Sequence, residues 1–350
     1  MTGKLWKWGG IALLMVVVWR AFTTPMQPGL VASEVDKSLE IWEITLTSAG
    51  YPLDFNANPS DPQQSDFQLV LKSGDMNTGI ATYCAEVTAV GSHRIVGRFT
   101  PPDTLPAPSM DVYLMTPGAG SLMLRHAFSV QGSIQGLPAE NCALGEEQPY
   151  LLPTTIPFQP TILETIRNLM FHVPMWFAMF FIMGLGFVAS IRFMLSGDIK
   201  FDQRADAAAR TGLLFGILGL ITGAVWARFT WGAWWVSDPQ LNGALVTVLV
   251  YTGYRILRAS TADDDRVPRL AAAYNVFAFI LLVVLLMILP KYNESLHPGK
   301  DGSPGFNTYD LDNTLRLMFY PAVIGWGALC YWIYKLRLRM IRVGRALINR

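Results

Sequence analysis

Two histidines and a cluster of tryptophans are the residues of this chain whose types and spacing suit chemistry. The stretch Val225-Trp-Ala-Arg-Phe-Thr-Trp-Gly-Ala-Trp-Trp-Val-Ser-Asp-Pro-Gln240 holds Trp226, Trp231, Trp234 and Trp235 within ten residues, with Gly232, Asp238 and Pro239 to fix a turn. Indole rings offer wide apolar contact and stack offset or edge-on, so such a shelf suits a flat, polarisable ligand of the porphyrin kind. Membrane interfaces also enrich Trp, and on composition alone a belt and a ligand shelf both stand. His172, in Phe171-His-Val-Pro-Met-Trp, and His297, in Glu294-Ser-Leu-His-Pro-Gly, are two of only four histidines. Neutral imidazole is a standard axial ligand of heme iron. For either histidine alone, a satisfied interfacial side chain is the plainer reading.

Heme also carries two propionates, for which Arg228, Lys291, Lys300 and Arg316 are the candidate partners. Arg228 and Arg316 are the more suggestive. An arginine at the end of an apolar span must snorkel or pair, and its planar fork matches a carboxylate at two points. His93 and His126 fall in alternating, strand-like stretches and read as structural or surface residues. Asp263-Asp-Asp265 lies beside Arg266 and Arg269 and reads as a solvated loop. No phosphate loop, HExxH zinc helix or GxSxG elbow occurs, so the common hydrolase and NTPase machinery is missing. Cys84, Cys142 and Cys330 form no CxxC, zinc or CxxCH spacing, which excludes covalent heme attachment. The first two are open to pairing in an oxidising compartment.

The elements that must position these residues point to a bilayer. Of 350 residues, 51% are hydrophobic and 15% charged, against about 25% charged in a soluble domain. Net charge is +1, so no global basic field gathers nucleic acid. Apolar runs near the ~20 residues needed to span hydrocarbon occur at about 169 to 194, 211 to 230, 241 to 258, 270 to 289 and 315 to 335. A shorter run, Trp8 to Phe22, follows Lys4 and Lys7 and has no A-x-A-like cleavage site after it, so it reads as a retained anchor. Between them, Pro, Ser and Asp punctuate short alternating runs such as Phe67-Gln-Leu-Val-Leu and Met110-Asp-Val-Tyr-Leu-Met, the pattern of β-strands in a small sandwich or barrel.

Basic residues fall on one set of span ends: Lys4 and Lys7, Arg192 to Arg210, Arg255 to Arg269, and the tail from Lys335 to Arg350, sixteen of the 27 Lys and Arg. The cytoplasmic side carries that excess. Both termini are therefore expected in the cytoplasm, with His172, His297 and the Trp stretch together outside.

The same residues resemble a known family. Trp231-Gly-Ala-Trp-Trp-Val-Ser-Asp238 is similar to the WGxWWxWD signature of the tryptophan-rich heme-handling proteins of cytochrome c biogenesis. His172-Val-Pro and Ser295-Leu-His297 resemble the two histidine motifs of the heme exporter C branch of these proteins. The resemblance covers about residues 165 to 340, and more loosely the first span. It implies that His172 and His297 are axial ligands of a non-covalent heme b, and that Trp231, Trp234, Trp235 and Asp238 support the heme edge. Two positions depart from the signature: Ser237 stands where a Trp is common, and Gln240 where an Arg is. The β-rich segment has no counterpart of its size in that branch, and it lacks the HxxxY pattern of the heme chaperone.

The expected architecture is an all-α polytopic membrane protein of six transmembrane helices with an inserted β-rich extracytoplasmic domain. Residues 1–28 form the anchor, 29–160 the β-rich domain, and 161–350 a five-helix heme-handling domain with a basic tail. The resemblance implies a heme-handling protein of the bacterial inner membrane, with no catalytic constellation of its own. Its implied partners are a periplasmic heme chaperone, ABC transporter subunits and a small membrane subunit. The competing expectation is a b-type membrane cytochrome using a bis-histidine heme. Such proteins place their histidine pairs through the bilayer's depth, whereas these two lie near one surface.

Overall fold

A computed structural model describes residues 5–37, 41–53, 67–73, 81–100, 109–116, 120–129, 154–159, 162–260, 266–293, 295–297, 311 and 313–348. The chain divides into two compact units, Thr24–Leu163 and a second made of Met1–Thr23 with Glu164–Arg350. The first break falls a few residues before the sequence-based boundary. Helix α1 (Leu5–Thr23) ends where the Thr23 hydroxyl bonds back to the Trp19 carbonyl and Pro25 follows, which cannot continue a helix.

The unit Thr24–Leu163 is one antiparallel sheet of seven strands: β1 (Gly29–Asp36), β2 (Trp42–Ala49), β3 (Gln68–Ser73), β4 (Ala81–Val90), β5 (Arg94–Phe99), β6 (Ser109–Thr116) and β7 (Gly120–Ser129). Their order is β1-β2-β5-β4-β3-β6-β7. Period-two alternation turns Trp42, Ile44 and Leu46 of β2 and Met110, Val112 and Leu114 of β6 into one buried core. Three register shifts, at Leu30/Ala32, Val87/Ala89 and Met110/Val112, give bulges that curve the sheet. The edge strands then meet in a barrel-like closure. Ser33 Oγ donates to the Ala127 carbonyl, and Lys37 Nζ donates to that of Ser129 at 2.8 Å. Within this unit Cys84 is disulfide-bonded, while Cys142, its candidate partner, lies outside the described residues.

The other unit is a bundle of α1 with α2 (His172–Ser196), α3 (Ile199–Thr230), α4 (Pro239–Ser260), α5 (Val267–Val283) and α6 (Asn313–Ile348). Five of its helical segments are long and apolar enough to cross a membrane: Leu5–Thr23, Leu163–Ser196, Ile199–Thr230, Val267–Lys291 and Asn313–Leu347. Exposed apolar side chains such as Phe181, Phe229, Phe277 and Ile324 stud their outer faces, the surface hydrocarbon requires. The run at 241 to 258 does form a helix, the 22-residue α4, but it is not among the five. It ends in Arg255 and Arg258 and carries several hydroxyl and amide groups.

Two devices hold the bundle. The first is close approach. Along α3, Gly212, Gly216, Gly219 and Gly223 face Met183, Met179, Trp176 and His172 of the antiparallel α2. A Cβ on these glycines would lie 2.5, 3.0, 2.8 and 2.8 Å from those side chains. Steps of four, three and four residues keep each series on one helix face. Small residues likewise let α1 approach α6, at Gly10 against Ala328 and Gly325 against Leu14.

The second device is ionic. Asp202 and Asp206, on the first turns of α3, are almost wholly buried. Arg258 grips Asp202 with both terminal nitrogens, at 2.8 and 2.9 Å, and Arg345 of α6 adds a third contact at 3.1 Å. Asp206 takes Arg255 at 2.8 Å and Arg210 at 3.0 Å. Helix α3 therefore begins well before its apolar run, because its polar first turns are neutralised by α4 and α6.

Removing one member of a buried, bidentate ion pair leaves an uncompensated charge and costs about 3–5 kcal/mol. Asp202→Asn is expected to lower the thermal unfolding midpoint of the detergent-purified protein, followed by tryptophan fluorescence. Pairing it with Arg258→Met should recover part of the loss. An unchanged midpoint in the single variant would mean that solvent already screens the network.

Candidate functional site

The tryptophan stretch begins where α3 stops. The Trp231 amide closes the last turn on the Ala227 carbonyl at 2.8 Å, and Gly232 takes the left-handed conformation, φ +77°, that a side chain resists. Arg228 donates a terminal N–H to the Gly232 carbonyl, so its fork is drawn into this turn. The chain then reaches Asp238, directly before Pro239 and the first turn of α4.

Asp238 is the junction of the site. Its Oδ1 accepts the backbone N–H of Gln240 at 2.9 Å and of Leu241 at 3.2 Å, an N-cap with proline at the first helical position. Its Oδ2 accepts the N–H of Leu296 from the distant segment 295–297, at 2.8 Å. Ser295 adds a side-chain hydrogen bond to the carboxylate and also accepts the His297 amide at 3.2 Å. Burial alone would push the Asp238 carboxyl up. The Ser295, Leu296, Leu241 and Gln240 hydrogen bonds outweigh it and hold the group below its ordinary 3.8.

Thus anchored, His297 lies with Nδ1 3.8 Å from Asp238 Oδ1 and its ring against two indoles, 6.0 Å from Trp226 and 5.8 Å from Trp231. Those indoles meet edge to face at 4.8 Å. The loop reaches this place because α5 does not end as a plain α-helix: a π turn, Val284–Ile288, and a 3-10 turn, Leu289–Lys291, containing Pro290, unwind it first.

His172 is the first residue of α2 and sits in the notch left by Gly219 and Gly223. Its Nδ1 is 3.0 Å from the Gly219 carbonyl oxygen and 3.1 Å from Thr222 Oγ1. A carbonyl only accepts, so Nδ1 carries the proton and the neutral ring keeps its free lone pair on Nε2. Trp176, over Gly219, meets the His172 ring edge to face at 6.2 Å.

The remaining candidates divide. Trp234 is 60% exposed and Trp235 38%, its indole N–H 3.3 Å from Asn242 Oδ1. Arg316, in the first turn of α6, has a buried Nε with no hydrogen-bond partner among the described residues. Lys291 is exposed, and Lys300 lies outside the described residues. Sequence reasoning passed over Gly219, Gly223, Thr222 and Trp176, and named Ser295 only within the second histidine motif. The glycine spacing on α3, matched to His172 and Trp176 on α2, was the available signal.

The family model described as heme exporter protein C matches residues 154–350, more than half of the chain. The chain belongs to the heme exporter protein C family. Among curated relatives, heme exporter protein C of Bradyrhizobium diazoefficiens is 29% identical over 154 residues, 44% of this chain and 59% of that protein. That of Rhodobacter capsulatus is 29% identical over 145 residues, covering 41% and 60%. Cytochrome c biogenesis protein CcsA of Prochlorococcus marinus (strain MIT 9303) is 34% identical over 95 residues, covering 27% and 30%. The chain thus spans about three fifths of the heme exporter C relatives it matches. The family match takes in His172 on α2, the tryptophan stretch and the His297 segment, and it begins after the seven strands.

Two changes test this geometry. In Gly223→Ala the new methyl would meet His172 Cε1 at 2.8 Å, so the ring must leave its place against α3; the expected sign is loss of protection of the His172 ring in histidine-modification footprinting, with the fold retained. In Asp238→Asn a donor replaces one acceptor oxygen, and the 295–297 attachment should weaken by about 1–3 kcal/mol, read as faster amide exchange at Leu296. Because the folded pKa of Asp238 is depressed, its contribution is complete above about pH 3.8 and lost as pH falls through the lower folded value. The acid-induced release of this segment should therefore be present in the wild type and missing from Asp238→Asn.

Proposed function

We propose that this protein binds heme b non-covalently at the outer face of the bacterial inner membrane, with His172 and His297 as axial ligands, and presents it to a periplasmic heme chaperone during cytochrome c maturation. The observation that carries this reading is the seating of the two imidazoles. His172 Nδ1 is committed to the Gly219 carbonyl, leaving Nε2 free, and a hydrogen-bonded partner behind the ring is the usual second support of a metal-binding histidine. His297 is set instead by its backbone on Ser295 and by the Trp226 and Trp231 rings, with Asp238 Oδ1 3.8 Å from its Nδ1, beyond hydrogen-bond reach.

The residues present fit heme. His172 and His297 would hold the iron of a porphyrin, which brings the rest of its own donors; among the described residues no three His, Cys, Asp or Glu side chains gather into a metal site. Trp226 and Trp231 brace His297, and exposed Trp234 and Trp235 offer flat surface beside it. The buried, unpartnered Nε of Arg316 makes that residue the preferred holder of a propionate, since Arg228 is engaged with Gly232. Bound heme supplies the iron and the macrocycle that are delivered. The protein grips, orients and releases them.

The names of the relatives, heme exporter protein C and cytochrome c biogenesis protein CcsA, support this assignment. In the proposed arrangement α4 is a sixth span, both termini are cytoplasmic, and the protein works in heme handling rather than as an enzyme. Its partners are ABC transporter subunits and a small membrane subunit that release the loaded chaperone. Both histidines belong to one end of the bundle, which favours handing heme over above carrying electrons across the bilayer.

The test is the absorption spectrum of the detergent-purified protein expressed with ample heme. The wild type should show six-coordinate, low-spin bis-histidine heme. His172→Ala and His297→Ala should each lose that spectrum and regain it with added imidazole. Unchanged heme in the double variant would remove the assignment. Trp234→Ala, at an exposed position that the fold does not need, is expected to keep its heme content while transferring less of it to the chaperone.

A further inference from the structure

At the end of the bundle away from the histidines, a cleft of about 260 Å³ opens between the first turn of α1 and the stretch of α6 from Tyr331 to Arg339. Three cations line it, Lys7, Lys335 and Arg339, with three aromatic rings, Trp6, Tyr331 and Trp332, and no carboxylate. Deeper in the same end, Arg210, Arg255, Arg258 and Arg345 are each matched to Asp202 or Asp206. The three cleft cations make no ion pair among the described residues. Lys7 Nζ lies 5.1 Å from the Trp332 ring centre and 5.8 Å from that of Trp6, and Trp6 meets Tyr331 at 5.7 Å. These contacts fix the two helices around the opening while leaving the charge unanswered.

The depth of the cleft narrows its ligand. The apolar run of α1 starts directly after Lys7, and that of α6 ends at Tyr334, directly before Lys335. The cleft therefore sits where hydrocarbon gives way to head groups, the level at which Trp and Tyr gather. Below it, α1 exposes Trp8, Met15 and Trp19 as an apolar wall. A cleft of about 260 Å³ has room for a phosphate with part of its glycerol. The Arg339 fork can grip two phosphate oxygens, with two lysines as point charges, and basic clusters beside a span attract anionic lipid.

We propose that this cleft is a binding site for the phosphate head group of an anionic phospholipid, whose acyl chains lie along the exposed face of α1. It is a site separate from the histidine pair, and the proposal stands whatever the histidines bind.

The test uses the full-length, detergent-purified protein titrated with phosphatidylglycerol, phosphatidylcholine or inorganic phosphate, bound lipid being counted by native mass spectrometry and stability by thermal midpoint. Phosphatidylglycerol is expected to bind and raise the midpoint where phosphatidylcholine does not. The Lys7→Gln/Lys335→Gln/Arg339→Gln variant should lower that preference by about tenfold or more, and Arg339→Gln alone should lower it in part. Equal binding of the two lipids by the wild type would overturn the proposal without reference to any variant. So would an undiminished preference in the triple variant, or a midpoint shift of the same size from inorganic phosphate alone, which would make the ligand a soluble anion.

Discussion

The arrangement of the candidate site depends on one buried carboxylate. Asp238 caps α4 with one oxygen and holds the amide of Leu296 with the other, so a single ionised group fixes both the start of a helix and a segment almost sixty residues further along the chain. A neutral side chain could not serve both sets of donors, because only a carboxylate offers acceptors in every direction and no competing proton. The hydrogen bonds that attach the loop are the same ones that keep Asp238 ionised against its burial. The charge holds the loop, and the loop keeps the charge.

His172 is positioned by a different principle. Its partner is not a charge but an absence of side chains: the glycine series on α3 leaves a groove into which α2 lays Met183, Met179, Trp176 and His172 in turn. The last position in the groove brings Nδ1 onto the Gly219 carbonyl, so backbone packing also decides the tautomer. One imidazole is thus set by the rigid seam between two long helices and the other by a hydrogen-bonded loop on an unwound helix end. The second attachment shares no hydrogen bond with the seam, so the two imidazoles are held by independent sets of contacts.

Much of this was legible beforehand. Apolar run length marked every helix of the bundle, because the bilayer permits little else, and alternation marked the strands, because a sheet core leaves no other pattern. The two histidines and the tryptophans stood out through their types and spacing. Less legible was whatever depended on partners far apart in sequence. The early start of α3 was hidden because Asp202 and Asp206 look solvent-seeking until Arg258, Arg255 and Arg345 arrive from two other helices. The meeting of Asp238 with Leu296 could not be read from either stretch, since a backbone amide has no signature. Arg228 was expected at a propionate, and nothing in the sequence signals that one of its terminal N–H groups meets the Gly232 carbonyl four residues away.

These observations also explain how α4 holds its place in the bundle. It falls short of the apolar character of the other helices, and burial of a few residues on one face does little to fix its height. Its ends do that work. Asp238 caps the N-terminal end and ties it to the His297 segment, while Arg255 and Arg258 lock the C-terminal end to two buried aspartates on α3. A helix pinned by ionic contacts at both ends has its axial position set by protein rather than by hydrophobic matching to lipid, which tolerates sliding and tilt at small cost. Because the His297 segment hangs from the N-terminal pin of α4 while its ring meets Trp226 of α3, the helix on which His172 is seated, the two imidazoles are referred to α3 both directly and through α4.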